Sequence, residues 1–242
     1  MKQRTDLAKK LNLNYTYLTN KTNACGPLDL PEVYCDLPYD PDYIALYSHP
    51  SDYCHTEHTA VAFFNYDDSF DGENGLFNAI YYHDEKRLNY YKERFSNVHT
   101  FIAPDYSVCG DIHAYENHWR IAKSRIVSIW ATVELNALVV PLLKYGSERD
   151  FPYMLDGLEQ TRTIAVSTKC KLRNKKDRQL LETAVQIAVD NLKWLDKIIV
   201  YDASGTGKDA KKLLKYAEEN GVRVVIPDNI LKTRNRHLHE VN

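Results

Sequence analysis

From about residue 60 onward, short apolar runs alternate with longer amphipathic ones. The runs 60–65, 98–103, 138–142, 163–167, 197–201 and 222–226 read as buried strands, each short, β-branched or aromatic, and bounded by polar turns. A further strand is expected upstream at 43–47. Between these runs the spacing predicts helices near 74–95, 113–136, 150–160, 175–194 and 208–220. The fourth places Leu181, Ala184, Val185, Ala188 and Leu192 on one face; the last does the same with Ala210, Leu213, Leu214 and Ala217, and stops at Asn220-Gly221.

Strands alternating with helices require parallel pairing through crossovers. The fold class expected is therefore α/β, as a parallel TIM-like βα barrel with one or two units trimmed, flanked by helices. An open doubly wound sheet is the alternative. Residues 43–242 are expected to form one such domain. Residues 1–42 differ in character: 26–41 carry four prolines and read as an extended arm. Before it, Thr5 to Leu13 followed by Tyr15 to Asn20 imitates a helix-turn-helix, but the flanking helices of a DNA-binding domain are missing and a capped N-terminal helix is the expectation.

Composition changes this picture little. Of 242 residues 44% are hydrophobic, enough for a substantial core, and a net charge of −2 gives no overall attraction to nucleic acid. No apolar run reaches the roughly 20 residues of a membrane helix, and the start leads into no signal-type core. Five scattered cysteines read as reduced thiols, so a cytoplasmic protein without a membrane partner is expected.

The candidate chemistry lies at strand ends. Pro104-Asp105-Tyr106-Ser107 follows the run 98–103, so that strand delivers a carboxylate, a phenol and a hydroxyl to its C-terminal loop. Asp67 and Asp68 follow one strand, Lys144 and Tyr145 another, Ser167 and Lys169 a fourth, Asp202 and Ser204 a fifth. Parallel packing would gather them on one rim, where ligands bind in such folds. Asp105, Asp67, Asp68 and Ser107 are the catalytic candidates. Tyr106, Asp111, Arg125, Lys144, Ser167, Lys169 and Asp202 are the ligand-binding ones. Two carboxylates can share acid–base work, or hold a divalent metal against a phosphate, or bind a base without chemistry. Arg125 and Lys123 suit phosphate or carboxylate recognition, or a solvated face. Cys54, His55 and His58, with His49, have ligand types suited to zinc but match no standard spacing. The segment 204–209 imitates a phosphate loop, yet Asp202 and Asp209 stand where that motif needs glycine and a hydroxyl; only anion holding by backbone amides remains open.

Several motifs also occur in a fixed order: Phe63 to Phe70 with paired aspartates, Pro104-Asp105-Tyr106-Ser107, Trp119 to Lys123-Ser124-Arg125, Val139-Val140-Pro141, Leu155-Asp156-Gly157-Leu158, Ala165-Val166-Ser167-Thr168 and Ile199-Val200-Tyr201. Through these, residues 60–235 resemble an uncharacterised family encoded largely by phages, plasmids and other mobile elements. The chain departs from it at Lys144-Tyr145, where tryptophan is usual, at Lys169-Cys170, in place of a glycine turn, and at Asp202, in place of glycine. The resemblance implies a mobile-element setting and no established activity. The leading expectation is an enzyme acting on a nucleotide or nucleic-acid base through a rim carboxylate. The alternative is a non-catalytic binder that sequesters a host or phage protein or a nucleotide signal, in counter-defence or as a replication accessory.

Overall fold

A computed structural model of the chain describes residues 11, 13–172, 174–204 and 206–232. The helix expected over Thr5 to Leu13 lies almost entirely outside the described residues. The strands are β1 (Ala24–Cys25), β2 (Leu30–Pro31), β3 (Tyr43–Leu46), β4 (Thr59–Ala62), β5 (Thr100–Ile102), β6 (Leu138–Val140), β7 (Thr163–Ser167), β8 (Lys197–Tyr201), β9 (Arg223–Val225) and β10 (Asp228–Asn229). The helices are α1 (Thr16–Thr19), α2 (Leu76–Tyr82), α3 (Glu85–Arg94), α4 (Ala114–Leu135), α5 (Lys175–Asn191), α6 (Lys208–Leu213) and α7 (Lys215–Glu219).

The protein is α/β, with two parallel sheets flanked by helices. One has the order β10-β3-β4-β5-β6, the other β7-β8-β9. Every pairing in both is parallel. A parallel bridge between Leu142 and Ala165 links β6 to β7, with the Leu143 amide donating to the Ala165 carbonyl at 2.9 Å. The last strand segment is divided: β9 pairs with β8, and β10, two residues further on past Pro227, pairs with β3. Residues of β3, β4 and β8 are buried on both faces, as parallel strands covered by helices must be. Ile102, Val140, Val166 and Val200 all lie in this core.

Three expected helices take a different form. The stretch 74–95 is broken into α2 and α3, because His83 adopts a left-handed conformation (φ 54°) and Asp84 caps α3 by accepting from the Arg87 amide. The stretch 208–220 is likewise divided at Leu214. The stretch 150–160 is no α-helix: a 3-10 turn at Glu148–Asp150 gives way to successive turns ending at Gly157, φ 76°. A Cβ at Gly157 would stand 2.9 Å from the Pro31 carbonyl oxygen, so the arm's close approach selects this glycine.

The arm follows the N-terminal ends of the strands. The Cys35 amide donates to Thr161 Oγ1 and the Leu37 amide to Thr163 Oγ1. Lys197, at the start of β8 and almost wholly buried, donates to the carbonyls of Leu37 at 2.7 Å and Tyr39 at 2.9 Å and pairs with Asp40 at 3.0 Å. Tyr39 bonds Thr100 at the start of β5, and Asp40 pairs with Arg223 at the start of β9. These contacts cover the N-terminal strand ends, leaving the C-terminal ends as the accessible rim. Lys197→Met keeps most of the buried stem but strands two carbonyls and removes one of the two cations beside Asp40. It is expected to cost about 2–4 kcal/mol in urea unfolding. An unchanged midpoint would mean that the arm is not held through this ammonium.

Candidate functional site

A cavity of about 280 Å³ opens at the C-terminal ends of β4, β5, β6 and β7. Its walls include Phe64, Asn65 and Tyr66 after β4, and Asp105, Ser107, Val108 and Cys109 after β5. Leu142 to Tyr145 after β6 and Ser167, Lys169, Cys170 and Lys171 after β7 complete it. The loop after β5 is fixed from several sides. Ser124 of α4 donates to the Pro104 carbonyl at 2.7 Å, and the Asn117 amide side chain bonds both the Cys109 amide and the Cys109 carbonyl. Gly146 lies against the Cys109 backbone so closely that a Cβ would come within 2.7 Å of it. The Asp150 carboxylate in turn accepts from the Gly146 and Ser147 amides. The cavity wall is thus set by packing and backbone hydrogen bonds before any ligand arrives.

Asp105 and Lys144 meet at this wall. Lys144 Nζ lies 2.5 Å from Asp105 Oδ1 and also donates to the Tyr106 carbonyl. The lysine side chain is only 6% exposed, whereas that of Asp105 is 35% exposed. Among the described residues nothing donates to Asp105 Oδ2, which leaves that oxygen for a ligand. Asp105 is also the one acidic residue of the cavity wall among the described residues. Burial, with Asp105 and Asp177 nearby, pushes the Tyr145 phenol well above its usual range, so it remains a neutral hydroxyl. Ser167 Oγ accepts from the Lys169 amide, and Lys169 Nζ donates to the Phe64 carbonyl at 2.7 Å beneath the Tyr66 ring.

The other carboxylates are occupied by the fold. Asp67 accepts from the Ser107 amide at 3.1 Å, from Ser107 Oγ at 3.0 Å and from Arg120 at 2.7 Å, so it ties the loop after β4 to the loop after β5. Asp202 is fully buried and accepts from Thr168 Oγ1, the Ser204 amide and hydroxyl, and the Gly207 amide. The Gly207 amide of the imitation phosphate loop is therefore already satisfied, by an internal anion. Asp68 and Asp111 are exposed and outside the cavity wall. The Tyr106 side chain turns inward against Phe70 with Lys123 over its ring, and contributes only its carbonyl.

Arg125 is also placed away from the rim. It is buried, with one nitrogen on the Asp156 carbonyl at 3.3 Å and the other without a partner among the described residues. Burial lowers its pKa to about 10 and, by the same cause, raises that of Asp156. The Asp156 carboxylate sits against Gly26 in the β1–β2 turn, where a Cβ would come within 2.0 Å of it. Arg125 and the Asp156-Gly157 turn accordingly dock the arm. Cys54, His55 and His58 are not brought together: His55 stacks on Tyr43 and His58 on Tyr39. Among the described residues no group of three or more His, Cys, Asp or Glu could hold a metal. All five cysteines are free, and no described helix is long and apolar enough to cross a membrane.

Sequence reasoning missed Arg120, Asn117 and Gly146, which shape the wall, and Tyr66, Lys171, Cys109 and Cys170, which line it. Lys171, one position from Cys170 on the same strand-end loop, was within reach of that reasoning. A second cavity, about 360 Å³ and so larger, lies between the arm and α4, lined by Val33, Tyr34, Ile129 and Val133 among others. Its one carboxylate, Glu32, already accepts from Asn23 at 2.6 Å. It lacks strand-end groups, and we favour the rim.

Residues 23–233 match the family model described as a domain of unknown function, DUF4417. No curated protein and no solved structure matches the chain. The chain belongs to the DUF4417 family.

Proposed function

We propose that this member of the DUF4417 family binds a nucleotide or nucleic-acid base in the rim cavity and acts on it through Asp105. The observation that carries the reading is the Asp105–Lys144 pair: a carboxylate of the cavity wall with one oxygen anchored by a buried ammonium and the other without a donor among the described residues. A carboxylate held in place through one oxygen, with no donor on the other among the described residues, is suited to take a proton or to attack an electrophilic carbon. Lys169 and Lys171 stand where a phosphate would enter, and the exposed Tyr66 ring offers a face to a flat heterocycle. The same reading takes the two sheets as one trimmed βα barrel, joined at Leu142–Ala165 and again where residues 223–229 reach both β8 and β3. It takes 1–42 as an N-terminal helix and extended arm on a body of 43–242, in a reducing compartment that suits five free thiols.

One observation favours a second reading. Among the described residues the cavity wall holds a single carboxylate, and Asp67 nearby is occupied by Ser107 and Arg120. A receptor that binds the same ligand without chemistry needs no pair. Both readings require binding, which thermal unfolding across bases, nucleosides and nucleotides tests, with and without magnesium. A ligand at about 100 times its Kd should raise Tm by about 5–10 °C. No shift with any class, and no ligand retained in native mass spectrometry, would remove both.

A further inference from the structure

The charge around the rim is uneven. Residues 169–178 hold six basic side chains in ten positions, against one acid, Asp177. This stretch runs from the end of β7 into the first turn of α5. On the opposite side of the cavity the acids are neutralised in place, Asp67 by Arg120 and Asp71 by Lys123. Among the described residues, by contrast, none of Lys169, Lys171, Lys175, Lys176 and Arg178 forms an ion pair. Lys175, Lys176 and Arg178 are exposed, and the 17-residue helix they open is capped by Asn174, so its positive end faces the same way.

Lys169 and Lys171 line the cavity, but Lys175, Lys176 and Arg178 lie outside its wall. A mononucleotide filling the cavity would leave those charges unused. A ligand matched to the whole surface continues beyond the cavity as a chain of negative charges. A cavity of about 280 Å³ admits a base only when that base is out of a helical stack. At its lip Tyr66 is 78% exposed, with Lys169 near its ring, the kind of face on which an unpaired base stacks. We propose that the basic bank Lys169, Lys171, Lys175, Lys176 and Arg178 binds the phosphodiester backbone of single-stranded nucleic acid, feeding one base into the rim cavity. This rests on the reading of the cavity as a base or nucleotide site and names its ligand as a polymer.

The experiment is fluorescence anisotropy with a labelled single-stranded DNA of about 12 nucleotides, within the range of known strand-binding sites. It is compared with a mononucleotide, the matching duplex and polyglutamate, on the full chain and on the Lys175→Glu/Lys176→Glu double variant. The single strand should bind at least about tenfold more tightly than the mononucleotide. Its log K should fall with log salt at a slope of about −2 to −3, three to four phosphates at roughly −0.7 each. The double variant should lose about tenfold for the strand, flatten the slope by about 1.4, and bind the mononucleotide as before. A strand bound no better than the mononucleotide overturns the proposal while leaving the cavity reading intact. Equal binding of duplex or polyglutamate also overturns it. Strand binding with the expected slope but no mononucleotide binding keeps the bank and removes the cavity reading, and binding of neither removes both.

Discussion

Asp202→Ala is expected to cost about 3–5 kcal/mol of folding stability, the largest loss from any single rim side chain. The carboxylate is fully buried and accepts four hydrogen bonds, two of them from the backbone amides of Ser204 and Gly207. Alanine would leave the buried Gly207 amide and the half-buried Ser204 amide without this acceptor, and an orphaned buried amide costs about 1–3 kcal/mol. The Asp202 carbonyl also receives Asn229 at 2.9 Å, so loss of order at 202–207 would reach β10 and its pairing with β3. Asp202→Asn keeps the shape but cannot accept on both sides, and should lose about half as much. Urea midpoints measure both. An unchanged midpoint for alanine would mean that the loop is held by other contacts and that Asp202 is available to a ligand.

Asp105→Asn should have the opposite profile, a small effect on folding and a large one on function. The carboxylate is over a third exposed, so its pairing with Lys144 contributes less to stability than a fully buried pair would. Asparagine still offers Lys144 a carbonyl oxygen, and the Tyr106 carbonyl remains as a second acceptor. If Asp105 transfers a proton or attacks the ligand, turnover should fall by about 10²–10⁴ with affinity held within about tenfold. If the protein is a receptor, affinity should fall by more than about tenfold with no turnover to lose. Lys144→Met separates the partners: it should weaken the same step by loosening Asp105, and the double variant should be no worse than the worse single one. Unchanged affinity and unchanged turnover in Asp105→Asn would leave the cavity without its central residue.

How far the sequence foretold this arrangement depends on the range of the interactions involved. Strands were legible because a strand buried on both faces leaves a short apolar run, as at 101–103 and 198–201. The convergence of Asp105, Lys144, Ser167 and Lys169 followed from that, since parallel strands carry their polar tails to one side. The breaks at His83 and Leu214 were not legible, because amphipathic periodicity continues through a helix cap. The occupation of carboxylates was hidden for another reason. Asp67 is claimed by Arg120, 53 positions along, and by Ser107, 40 along, so nothing near Asp67 marks it as structural. Arg125 misled in the same way: arginine suits a phosphate, but this one is buried and bonds the Asp156 carbonyl. Tyr106 sits between two rim residues in sequence, yet its side chain turns to the core.

The most direct test of the rim as the functional site is a crystal structure with a bound nucleoside monophosphate. The base should lie within hydrogen-bond distance of Asp105 Oδ2, with the phosphate against Lys169 and Lys171 at the cavity mouth. A ligand seated instead between the arm and α4, beside Val33 and Ile129, with nothing in the rim cavity, would contradict the account.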